Sequence, residues 1–86
     1  MPKVSEFFGI SIYLYFREHP PPHFHARYAE EEVLVSIEDL TVLAGKINPR
    51  ALGLVIEWAA LHRDDLRRAW QQAQAHETPD RIEPLR

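Results

Sequence analysis

The sequence predicts an α+β domain: a small antiparallel, meander-like sheet of four strands, curled over one long C-terminal α-helix in two layers. Two observations carry this. Through the first half of the chain apolar residues recur at every second position, the period of a half-buried strand. Through the second half they recur at three- and four-residue spacing, the period of a helix lying on a core.

The first strand is expected over 10–16, where Ile10, Ile12, Leu14 and Phe16 alternate with Ser11, Tyr13, Tyr15 and Arg17, and Gly9 marks its start. Glu18-His19-Pro20-Pro21-Pro22 follows. Consecutive prolines hold the backbone near polyproline II and remove N–H donors, so this is a stiff connector. Alternation resumes over 23–28, with Phe24, Ala26 and Tyr28 as one set and His23, His25 and Arg27 as the other. After a polar turn at 29–31, Val33, Val35 and Ile37 alternate with Leu34, Ser36 and Glu38 in a third strand, and 41–44 is short enough to be the fourth.

Asn48 offers an N-cap oxygen and Pro49 suits the first helical position. From there to about residue 75 a single helix is expected, with Leu52, Val55, Ala59, Leu66, Trp70 and Ala73 on its buried stripe. A break near His62 is the alternative. Pro79 prevents continuation, so 1–78 forms one compact domain and 79–86 a polar tail.

Composition narrows the function classes. An 86-residue chain that is 45% hydrophobic buries only about 60% of its unfolded surface, enough for one small core. It has no cysteine, so any metal must be held by His, Asp or Glu. A net charge of −3 argues against wrapping nucleic acid by bulk electrostatics and leaves room for a local basic face. With no secretory pattern at the start and no membrane-length apolar run, the expectation is a cytoplasmic protein without membrane association.

Residues 18–25 hold three of the five histidines and three of the seven prolines. If the apolar sets face the helix, Tyr13, Tyr15, Arg17, His23, His25 and Arg27 share the opposite face. His23 and His25 could divide the acid and base roles of an RNA transesterification without a metal, Arg17 and Arg27 stabilising phosphate charge and Tyr13 and Tyr15 orienting bases. Alternatively, His23 and His25 with His19 or Glu18 could bind a divalent metal such as zinc. The plain alternative is a solvated or partner-covered sheet face without chemistry. On the helix, Leu54, Trp58 and Leu61 suggest a strip for a second copy or another protein, unless the tail covers it with Ile82 and Leu85.

Several segments together resemble a small bacterial family designated domain of unknown function 4160. They are Phe7-Phe8-Gly9-Ile10, Glu18-His19, Pro21-Pro22-His23-Phe24-His25-Ala26, Gly45-Lys46, Pro49-Arg50-Ala51-Leu52, Trp58-Ala59 and Leu61-His62-Arg63. Pro20 and Asn48 stand where other residues are expected in relatives. The resemblance implies a cytoplasmic prokaryotic protein encoded beside another small protein, in an arrangement like a toxin–antitoxin pair. It assigns no catalytic residue.

Overall fold

The computed structural model describes residues 2–86. Alternation does build an antiparallel sheet, but of five strands: β1 (Lys3–Phe7), β2 (Ile10–Tyr13), β3 (His23–Tyr28), β4 (Glu31–Ser36) and β5 (Val42–Lys46), paired in sequence order as a meander. Two helices follow, α1 (Pro49–Leu61) and α2 (Arg63–Gln74). No helix among the described residues is long and apolar enough to cross a membrane.

The strand missing from the four expected is β1. Its buried residues are Val4, Ser5 and Phe7, because the register with β2 shifts between Lys3 and Ser5. A bulge of this kind removes the period-two pattern from so short a strand. Phe8 and Gly9 then form a two-residue hairpin turn with φ of 50° and 79°, the doubly positive backbone that matches strand twist.

At the other end of β2 the strand stops at Tyr13, shorter than the seven-residue run of apolar alternation. The chain turns at Phe16 and Arg17, where Arg17 has φ of 55°, so Phe16 leaves the core and stacks on His76 with ring centres 5.1 Å apart. Gly45, with φ of 76°, lets β5 approach β4 so closely that a Cβ there would stand 2.3 Å from the Glu32 carbonyl oxygen.

The helix is two helices rather than one. Asn48 Oδ1 accepts from the N–H groups of Arg50 and Ala51, which starts α1 as the sequence indicates. At His62 the backbone departs to φ −125° and ψ 29°, and its N–H reaches back only three residues, to Ala59 O at 3.2 Å. Asp64 and Asp65 then lie in the first turn of α2, where carboxylates complement the helix dipole. One non-helical residue hardly disturbs the apolar spacing, so periodicity alone could not show the break.

The core lies between one sheet face and the helices. Ile10, Ile12, Phe24, Ala26, Val33 and Val35 are fully buried and meet Val55, Trp58, Ala59 and Leu66. Trp58 packs on Phe7 and Phe24 with ring centres 5.4 and 5.9 Å away. Residues 79–86 also pack: Ile82 is buried, its N–H donates to Val4 O at 2.7 Å, and Trp58 Nε1 donates to Glu83 O at 2.8 Å. The outer edge of β1 is thereby partly closed, while every residue of β5 is exposed.

Candidate functional site

Strand β3 sits in the middle of the sheet and presents a different chemistry on each face. Cross-strand pairing places His25 between Tyr13 and Leu34, Arg27 opposite Glu32, and His23 opposite Ser36, and alternation sets them on the strand face opposite Phe24 and Ala26. This face is not open where the histidines lie. The connector that follows β2 folds over them, leaving His23 only 6% and His25 only 7% exposed. The Tyr15 ring stands edge-on to His25 at 4.3 Å, and Trp70 of α2 lies 5.3 Å from the His23 ring.

Hydrogen bonds set the direction in which each imidazole points. His23 Nδ1 is 2.8 Å from Pro21 O; a carbonyl can only accept, so Nδ1 carries a proton and donates it. His23 Nε2 is buried with no hydrogen-bond partner. Glu18 Oε2 stands 3.3 Å from it, near enough for charge attraction but without hydrogen-bond alignment. His25 Nδ1 donates to Glu32 Oε2 at 2.8 Å, and His25 Nε2 is 2.7 Å from Glu18 Oε1. Both carboxylates are acceptors. With Nδ1 donating to Glu32, the short contact between Nε2 and Glu18 is satisfied by a proton held between the two atoms or by a cation in its place.

Glu18 is therefore shared by both histidines, while Glu32 also stands 3.5 Å from Arg27 Nε. Burial, with the Glu32 charge as the next cause, pushes the Tyr15 phenol above its ordinary range. The rings of Tyr13 and Tyr15 are parallel, 3° between planes and 6.4 Å between centres, and both residues are half-buried.

The structure brings Glu18, His23, His25, Tyr13, Tyr15 and Arg27 into one neighbourhood. Arg17 belongs to the connector turn instead of the strand; its N–H meets Ala73 O, and its side chain makes no ion pair or hydrogen bond with the histidines among the described residues. His19 is exposed and lies outside the cluster. The helix strip is divided. Trp58, expected at an interface, is fully buried because it faces Phe7 and Phe24; Leu54 is half-buried, and Leu61 remains 69% exposed. Leu54 helps line a shallow cavity of about 260 Å³ with Phe8, Tyr28 and Arg50, at the far end of β3 from His23.

Two participants were not singled out from the sequence, Glu32 and the Pro21 carbonyl. Glu32 could have been found, since the tight turn between β3 and β4 sets a register in which it opposes Arg27 and flanks His25 on the same face. The Pro21 carbonyl carries no side-chain signal.

No curated protein and no solved structure shows a match to the chain. A family model does match, over residues 9–71, which takes in the connector, β2 to β5, α1 and most of α2. The chain thus belongs to the family described as Domain of unknown function (DUF4160).

Proposed function

We propose that the protein acts on RNA as one component of a two-protein bacterial module, with Glu18, His23, His25 and Glu32 as its chemical centre. The observation that carries this is the company the cluster keeps. Parallel Tyr13 and Tyr15 rings adjoin His25, and the exposed Arg27 lies two residues further along the same face. Aromatic faces hold unstacked bases and a guanidinium holds phosphate, while a polar centre beside them can move the 2′-hydroxyl proton. Recognition of this kind is local, which is consistent with a chain of net charge −3.

The test is RNA binding and cleavage by the full chain, together with growth of cells expressing it with and without the neighbouring gene product. Arg27→Ala and Tyr15→Ala should weaken RNA binding, and His25→Gln should abolish cleavage and growth inhibition. Folded His25→Gln and Glu18→Gln variants that cleave RNA and arrest growth like the wild type would remove the RNA reading.

A second reading is favoured by the open β5 edge, where Val42 and Leu43 are 44% and 45% exposed. A strand added there, from a second copy or from another small protein, would satisfy the unpaired backbone and cover these side chains. Mass measurement in solution tests it. Leu43→Lys should reduce the size of a complex, and a monomer unaffected by either the substitution or the neighbouring gene product would argue against docking.

A further inference from the structure

We propose that Glu18, His23 and His25 form a binding site for one divalent first-row transition cation of the zinc class, held by the Nε2 atoms of both histidines and the Glu18 carboxylate. One ligand atom from each residue lies within 4.8 Å of the others, and among the described residues no other set of three does so.

Proximity is joined by a second, independent observation. His23 is more than nine-tenths buried, and its Nε2 has no hydrogen-bond partner although Glu18 lies beside it. A buried polar atom without a partner is unfavourable, and a cation supplies the missing contact. Because Pro21 O holds the proton on Nδ1, the neutral ring keeps its lone pair on Nε2, the atom that would ligate.

His25 is prepared in the same way. Glu32 accepts from its Nδ1 and leaves Nε2 directed at Glu18. A carbonyl behind one imidazole and a carboxylate behind the other are the outer contacts that orient metal-ligating histidines and raise their basicity. The two carboxylates also supply negative charge for the cation to offset.

The donor set selects the ion. Two imidazole nitrogens disfavour magnesium and calcium, which prefer oxygen, and suit zinc or its divalent neighbours; a chain without cysteine offers no thiolate. Ligands about 2.0–2.2 Å from a tetrahedral zinc stand roughly 3.3 Å apart, so Glu18 Oε1 must withdraw slightly from His25. Glu18 can do so because it lies on the connector with its side chain 26% exposed. Three protein ligands leave a fourth position for water, the pattern of catalytic rather than structural zinc.

The site does not depend on RNA being the substrate. Where that reading also holds, both histidines would hold the ion through Nε2, and the ion would supply Lewis-acid chemistry beside Tyr15 and Arg27.

The experiment is calorimetric titration of the tag-free, chelator-treated full chain with Zn²⁺, repeated with Co²⁺ to read its visible absorption. One ion per chain with sub-micromolar Kd, and cobalt bands of four- or five-coordination, are expected. Glu18→Gln and His23→Gln should each raise the Kd at least about tenfold, while Glu6→Gln leaves it unchanged. Should the buried His23 variant fail to fold, Glu18→Gln carries the test, with circular dichroism confirming its fold. Absence of saturable binding, or equal affinity in wild type and Glu18→Gln, overturns the site. Zinc binding that depends on Glu18 without any effect on RNA leaves the site standing and removes the RNA reading.

Discussion

From His23 to Ala26 the two faces of β3 are nearly equally buried and could hardly be more different. On one, Phe24 and Ala26 are covered by α1 and by neighbouring strands; on the other, His23 and His25 are covered by the connector, Tyr15 and Trp70. The first face needs only shape and apolar area. Burying the second requires a partner for each polar nitrogen, and three of the four are supplied by Pro21, Glu32 and Glu18. The fourth, His23 Nε2, lacks one. Burial thus builds the fold on one side and orients ligating atoms on the other, so substitutions on the two faces should fail in different ways.

The largest effect belongs to the apolar face. Phe24→Ala should lower the unfolding free energy by about 3–5 kcal/mol, read by chemical denaturation, with any metal binding lost as a consequence of unfolding. Next comes Glu18→Gln. At a zinc concentration about 100 times the wild-type Kd, zinc should add about 2.7 kcal/mol to wild-type stability and visibly less to the variant. Without zinc, the two should unfold at similar denaturant concentrations, because Glu18 lies on a partly exposed connector. If Glu18→Gln instead behaves like Phe24→Ala, the distinction between the faces is wrong.

Gly45→Ala probes the support beneath Glu32. An added Cβ at φ of 76° would meet the Glu32 carbonyl oxygen at 2.3 Å, so stability should fall by more than about 1 kcal/mol. Because Glu32 holds His25, zinc affinity should fall as well; a loss of stability with unchanged zinc affinity would show that the strand carrying Glu32 adjusts independently.

The smallest effect lies away from both faces. Arg67 donates to the Glu38 carboxylate and holds it below the ordinary carboxylate range. A carboxyl whose folded value is depressed stabilises the fold above its unfolded range, and loses that contribution as pH falls through the folded value. Glu38→Gln should therefore lower Tm slightly near neutrality, and the difference should disappear in acid. Both side chains are exposed, so high salt should shrink it too.

Much of this architecture was legible because strand alternation and helical spacing report burial directly. Phe24, Ala26, Val33, Val35, Val55 and Ala59 all lie in the core that the spacing indicates. Each departure has a local cause. A bulge masks β1, a turn with positive φ at Arg17 carries Phe16 outward, and one residue at His62 divides the helix without altering the apolar stripe. Trp58, expected on an interface strip, turns instead into the core, where it packs against Phe7 and Phe24.

The site was legible to a lesser degree. Alternation assigns His23 and His25 to one face but cannot say that the connector closes over them. Nor can it show that Glu18 returns to meet both rings, since that depends on the path of the chain after Tyr13, where the alternation runs on to Phe16 although the strand has ended and 17–22 carry no periodic signal. The partner that orients His23 is a main-chain carbonyl, and no residue type announces it.

Long-range ¹H–¹⁵N correlation of the imidazole rings, recorded before and after one equivalent of Zn²⁺, tests the central claim most directly. With zinc bound, both Nδ1 atoms should be protonated and both Nε2 resonances should move to the metal-bound range. Rings that keep their metal-free spectrum, or a His23 protonated at Nε2 and bare at Nδ1, would contradict it.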